Sequence, residues 1–397
     1  MTGGFDFSVG KGEVRLAGGP ELFARVGARF AVASVPADAP TLLGLRLNRP
    51  RLLVSDAAPG FLAHADEVRA VAFGPDGLYL AAGGDDCRLS LWDTGAGTRV
   101  FEAEVSAPVL AVAYSGSGRF VAAGDARSAV TVWNVFGARG AVGSVTVEGE
   151  VRCTALASAT AEVLAVGTTA KKVTLFSVPD LCGFVELHHD ASVNCLAFSP
   201  DGGILAAGCG THDMPAFAAK GAVSYSAKAV LWGAPAAVEG CKHLGTIRLG
   251  DVVHATAFAP SGKILAVSGE TRRIDILLVE AGFEQVAEMP CAACVRSLAW
   301  SSDSSFLVSS GEELQVIVWD VAAERVVFQL PKAKDWLWQV AVNPDSSLVA
   351  CCGSHGPGVT LLPLEVLPPR LEELLSYSDD EDDAGDPGSS SSFLRPG

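Results

Sequence analysis

A short apolar run recurs along this chain at near-constant spacing. It begins at Val68 (VRAVAF), Val109 (VLAVAY), Val151 (VRCTAL), Val193 (VNCLAF), Val253 (VHATAF), Val295 (VRSLAW) and Leu337 (LWQVAV), at intervals of 41, 42, 42, 60, 42 and 42 residues. A period in this range marks a repeat architecture in which each unit buries its faces only against its neighbours. The runs alternate small or polar with large apolar side chains, which is the period of a strand. Turn residues follow at one offset: Gly74-Pro75-Asp76-Gly77, Ser115-Gly116-Ser117-Gly118, Ser199-Pro200-Asp201-Gly202 and Ala259-Pro260-Ser261-Gly262. Proline presets one turn torsion, Asp bonds back to the backbone, and Gly accepts positive φ. A second strand comes next, as in Leu78–Ala82. A third ends in an aromatic at Trp92, Trp133, Phe176, Trp232 and Trp319, and a less regular fourth precedes the next repeat. Four strands in about 42 residues make one antiparallel sheet.

Composition agrees with this reading. Hydrophobic residues make up 49% of the 397, charged residues only 19%, and there are 43 glycines. Such a mixture disfavours a coiled coil and excludes disorder for the bulk of the chain. The net charge of −16 argues against a protein that grips nucleic-acid backbone. Neither a signal-peptide run at Met1–Leu16 nor a stretch approaching the ~20 apolar residues of a membrane span is present in the sequence. The ten cysteines sit mostly in apolar runs and read as reduced, buried thiols of an intracellular protein, cytoplasmic or nuclear.

The pairs Trp92-Asp93 and Trp319-Asp320, together with the FSPDG-like turns, resemble the WD40 repeat. The resemblance covers at least residues 51–365. It implies an all-β propeller of four-stranded blades around a central channel. In that family a His before the first strand, an Asp in the second turn and the Trp of the third strand form a hydrogen-bonded set. The first repeat keeps His64, Asp86 and Trp92, with Ala82 where the family often has Ser. The fourth keeps His189 and Trp232, with Ser226 at the Asp position. The repeat ending at Trp133 has Arg127 there, and the sixth has Glu313. These are structural residues, and the erosion of the set means that the blades rely on packing.

The blade count is open between seven and eight. Glu21–Arg25, Phe30–Ser34, Thr41–Leu47 and Arg51–Ser55 read as a degenerate extra blade, with Phe5–Val9 closing the ring. Eight blades is the preferred count. Seven is the alternative, closed by Arg51–Ser55. The expected organisation is one propeller over 1–365, in which 1–50 supply the closing strand and degenerate blade. An acidic, Ser/Gly-rich, disordered tail follows over 366–397, with eight acids against two Arg and acid-flanked Ser376 and Ser378.

Three features bear on function. Fifteen extra residues enter the fourth repeat between its second and third strands and include His212, Lys220 and Tyr225. Family geometry places this insertion on the face of His64, where it is either a recognition loop or a tolerated surface loop. One residue after each repeat start stand Arg69, Leu110, Arg152, Asn194, His254, Arg296 and Trp338. Superposed repeats make these a ring at a channel mouth, suited to an acidic or phosphorylated segment or simply solvated. Trp336 and Trp338 are either interface anchors or inter-blade packing.

Cys291-x-x-Cys294 lacks companion ligands for a zinc site, so no metal or other cofactor is expected. GxxxxGK[ST], HExxH and GxSxG motifs are absent from the sequence, and an enzyme is not expected. The reading is a non-catalytic scaffold or adaptor that binds protein partners, itself a monomer within larger assemblies. The alternatives are a phosphoinositide-binding propeller, for which Arg272-Arg273 lacks the Phe and Gly of the known motif, and a ubiquitin-ligase substrate receptor, for which both Trp-Asp pairs lack the following Arg.

Overall fold

The computed structural model describes residues 60–137, 139–157, 162–211, 227–233, 241–330, 333–353 and 357–367, and strands at 7–10, 13–16, 21–26, 29–34 and 51–54. Among the described residues the repeats form seven antiparallel blades. Their inner strands are Val68–Phe73, Val109–Tyr114, Val151–Leu156, Val193–Phe198, Val253–Phe258, Val295–Trp300 and Leu337–Val342. In blade 1 the order runs outward through Tyr79–Gly84 and Arg88–Asp93 to Thr98–Glu104. Blades 2 to 6 repeat that order.

The turn chemistry works as the residues dictate. Gly77, Gly118, Gly202 and Gly262 take φ near +70° after the inner strand. Ser304 and Ser346 occupy that left-handed position in blades 6 and 7. Each second strand then brings an aliphatic residue opposite the large residue of the third strand. The pairs are Leu80 with Trp92, Val121 with Trp133, Leu164 with Phe176, Leu205 with Trp232, Leu265 with Leu277, Leu307 with Trp319 and Val349 with Leu362. All seven aliphatic partners are fully buried. Burying one such side chain contributes about 1.5–3 kcal/mol, so this row is the main support of the blades.

Two bulges recur. In every inner strand the register shifts across its second residue. In the outer strands of blades 1 to 6 it shifts opposite the third-strand large residue. The outer bulge twists an edge that would otherwise present a flat row of unpaired backbone groups. The inner bulge requires close backbone approach: a Cβ on Gly84 would lie 1.9 Å from the Glu67 carbonyl, and one on Gly269 would lie 2.0 Å from that of Val252.

The count of seven corrects the preference for eight, and Phe5–Val9 does not close the ring; Arg51–Val54 is a neighbour of Gly358–Leu367 in the last sheet, as the seven-blade alternative has it, and a second strand joins it there. Gly60–Ala63 pairs antiparallel with Gly358–Leu367 and supplies the outer strand of the last blade. The outer strand that precedes every repeat precedes the first one too. Leu62 anchors it, buried with Leu80, Trp92 and Val359. The chain divides into two units, Val54–Leu364 and a second made of Met1–Leu53 with Glu365–Gly397. In the second unit Phe7–Gly10 pairs with Glu13–Leu16, and Glu21–Val26 with Arg29–Ser34. The second ladder corresponds to the first two strands of the degenerate unit expected there, whose third, Thr41–Leu47, lies outside the described residues. The acidic tail lies outside the described residues beyond Leu367. No helix among the described residues is long and apolar enough to cross a membrane.

Candidate functional site: the channel mouth

The residues skipped by the seven inner bulges are Arg69, Leu110, Arg152, Asn194, His254, Arg296 and Trp338. A bulge leaves one residue unpaired and re-aims its side chain. All seven line one cavity of about 430 Å³ at the centre of the ring.

The ring is charge-compensated. Arg69 donates from Nε and Nη2 to Asp85 at 3.0 and 2.7 Å, and Glu67 lies 3.7 Å from Nη2. These Asp85 hydrogen bonds raise the guanidinium further above its ordinary pKa. Arg296 bonds Glu312 at 2.6 Å, Arg152 bonds Glu150 at 3.0 Å, and His254 Nε2 lies 3.3 Å from Glu270. Three guanidiniums therefore meet four carboxylates, Glu67, Asp85, Glu150 and Glu312, and a fifth, Glu270, faces the His254 ring. That differs from the positive field expected of a basic ring in isolation. Asp85, Glu270 and Glu312 each directly follow a second strand, sixteen residues after the ring residue they face. This fixed offset is the signal that could have found them.

Arg152 is the most open of the three arginines, its side chain half exposed. Asn194 donates to the Gly210 and Val253 carbonyls at 3.0 and 3.2 Å and ties blade 4 to blade 5. Trp336 and Trp338 form an edge-on pair with ring centroids 5.9 Å apart. The Arg69 guanidinium lies 4.9 Å from the Trp338 ring centre, and that of Arg296 lies 5.7 Å from Trp336. Trp336 is 42% exposed. The result is a continuous Arg–Trp–Trp–Arg ladder across blades 1, 7 and 6. His212, Lys220 and Tyr225 lie outside the described residues.

The remaining repeat residues sit in the blades. His64 donates from Nδ1 to Asp86 at 3.3 Å and accepts the Trp92 indole N–H on Nε2 at 3.1 Å. Asp93 accepts two amides of its own turn, from Gly95 and Ala96, and Asp320 accepts that of Ala323. Trp133 is buried, and Trp319 donates to Ser309 at 2.8 Å. In blade 6, where the His is missing, Glu313 accepts the Ala293 amide at 3.1 Å. His189 lies 3.3 Å from the Cys209 thiol and edge-on to Trp232. Cys294, directly before the blade 6 inner strand, has its thiol pushed up to about 12 by burial. Cys291 is a separate half-buried thiol whose Sγ faces the Met289 carbonyl.

The blades and their central cavity define a β-propeller. Residues 59–93, 182–214 and 283–320 match the WD domain, G-beta repeat family. These three segments are WD repeats set in a β-propeller. It is 34% identical over 55 residues to a "Ribosome biogenesis protein BOP1 homolog" of Dictyostelium discoideum, covering 14% of this chain and 7% of that one. It is 36% identical over 61 residues to a "Guanine nucleotide-binding protein subunit beta-1" of Caenorhabditis briggsae, covering 15% and 18%. A G(I)/G(S)/G(T) subunit beta-1 of Homarus americanus matches to the same extent. The chain thus spans less than a fifth of the length of these curated relatives.

Proposed function

We propose that this propeller is a non-catalytic, intracellular scaffold that seats a partner protein on the channel mouth. The Arg69–Trp338–Trp336–Arg296 ladder carries the reading. Tryptophan and arginine are the residues most enriched among interface anchors, and here each guanidinium is held in place by a carboxylate before any partner arrives. Pre-positioned side chains lose less rotamer freedom on binding. The compensated charge favours a partner that stacks on Trp336 over one drawn in by a long-range field. Arg152, across the mouth, is open to a bidentate contact with an acidic or phosphorylated side chain of that partner.

The polar side chains of the ring are bonded to carboxylates and backbone carbonyls, and the Cys294 thiol stays protonated. Both suit binding better than reaction. One relative is named as a subunit of a guanine nucleotide-binding protein, which accords with this reading.

The test compares partners captured by the wild-type chain, by Trp336→Ala and by a rim control, Leu244→Ala, whose side chain is equally exposed. Loss of an anchor costs about 2 kcal/mol or more, roughly a thirtyfold drop in affinity. A partner lost with Trp336→Ala and kept with Leu244→Ala supports the mouth. Identical recovery by all three chains, with unchanged circular dichroism, sinks it.

A further inference from the structure

At the seam between blades 5 and 6 three donor atoms of different chemistry converge. His254 is the bulged residue of the blade 5 inner strand, Glu270 directly follows that blade's second strand, and Cys294 directly precedes the inner strand of blade 6. One ligand atom from each lies within 4.8 Å of the other two. His254 Nε2 and the Glu270 carboxylate are 3.3 Å apart. A tetrahedral zinc ion with bonds of about 2.0–2.3 Å sets its ligand atoms roughly 3.3–3.6 Å apart. The nitrogen–oxygen edge already has that length. The sulfur needs to move by about 1 Å, within the reach of a side-chain torsion.

The backbone under the donors is fixed. The Glu270 amide donates to the Val252 carbonyl, and the Glu312 amide to that of Cys294, both at 3.0 Å. Two groups of opposite charge address His254 Nε2. The guanidinium of Arg296 has only donors, and its Nη1 lies 3.4 Å from His254 Nε2 while Nη2 bonds Glu312. A carboxylate oxygen and a guanidinium thus address the same ring nitrogen. If that nitrogen is an acceptor, it and the carboxylate are two lone-pair donors at coordination distance, with a positive group beside them.

We propose that His254, Glu270 and Cys294 form a site for a zinc-type divalent ion at the seam between blades 5 and 6, where His254 borders the central cavity. A mixed nitrogen, oxygen and sulfur set selects zinc or cobalt over magnesium or calcium. On coordination Cys294 gives its proton to solvent and binds as thiolate. The carboxylate and thiolate together balance the ion's two charges. Arg296 then withdraws toward Glu312 and Trp336, its existing neighbours.

The experiment adds Co²⁺ alone, then Zn²⁺, to the full chain. The expected result is one equivalent of Co²⁺ bound with thiolate-to-metal charge-transfer absorption in the near ultraviolet, displaced by Zn²⁺. Cys294→Ser abolishes the absorption, and Cys182→Ser, an exposed thiol elsewhere, keeps it. His254→Ala and Glu270→Gln each weaken binding by more than the roughly 10–100-fold that loss of an outer-shell partner costs. Arg296→Ala tightens it, because a like charge leaves. Absorption that survives Cys294→Ser, affinity unchanged in His254→Ala, or no thiolate absorption in the wild type overturns the site. Should Cys294→Ser fail to fold, the two partly exposed positions, His254 and Glu270, decide the matter. Failure here leaves partner docking on Trp336 untouched, since that reading uses no metal.

Discussion

Blades 1 and 4 share a backbone plan and differ in how their central His–Trp pair is satisfied. In blade 1 His64 is a relay between Asp86 and the Trp92 indole. In blade 4 His189 faces the Cys209 thiol, and Trp232 packs edge-on between His189 and His243 at 5.9 and 5.3 Å. Neither His189 Nε2 nor the Trp232 N–H has a hydrogen-bond partner among the described residues. Yet Leu80 and Leu205, which stand opposite the two tryptophans, are both fully buried. Apolar pairing across the second and third strands is common to the two blades, whereas the polar relay is an addition that blade 4 does without.

The strongest test of that comparison removes the shared part. Leu80→Ala and Leu205→Ala should each cost about 2–5 kcal/mol, by equal amounts within ~1 kcal/mol, in denaturant unfolding monitored by circular dichroism. A much smaller loss in blade 4 would show that packing does not carry it.

Acid separates the blades next. Burial lowers the His189 pKa to about 4, against roughly 6.5 in an unfolded chain. Above that value the ring is neutral in both states and adds no pH dependence. Between pH 6.5 and about 4 the unfolded chain takes up a proton that the native one refuses. Stability falls there by at most ~1.4 kcal/mol per pH unit and levels off below. The wild type should therefore lose more stability across that window than His189→Gln in matched thermal melts. Parallel curves would mean that His189 protonates without penalty.

The smallest effect tests the relay itself. Trp92→Phe strips His64 of its indole donor and should cost about 1–3 kcal/mol beyond the packing change. Trp232→Phe removes an N–H that bonds nothing among the described residues and should cost less. The difference between the two midpoints is the measurement. Equal shifts would assign the relay no net value.

The repeat period, the turns and the ring positions were legible because each is local and recurs. Val-x-Ala-Val at the head of an inner strand even betrays the bulge, since Ala70 and Val71 are adjacent in sequence and both buried. The compensating acids were harder to see. Asp85 and Glu312 meet Arg69 and Arg296 only once the second strand has turned back alongside the first. Cys294 reaches His254 and Glu270 across two blades, so no spacing within one repeat exposes that trio. The closing strand was missed because Gly60–Ala63 is four residues with one buried anchor, Leu62. Its partner lies at the far end of the ring.

That closure sets the order of assembly during synthesis. Blades 1 to 6 each use one contiguous stretch of chain, and their strands can zip as they emerge from the ribosome. The last blade cannot. Gly60 waits for Leu361, roughly 300 residues downstream, while six finished sheets have only an open arc to pack in. Holding the ends apart for so long adds little equilibrium cost, because loop-closure entropy grows only logarithmically, by about 0.6 kcal/mol per doubling. The burden falls on time: until the latch strand engages, Leu62 and the inner face of blade 1 stay uncovered, and a nascent chain in that state offers its seam to any neighbour with a free strand.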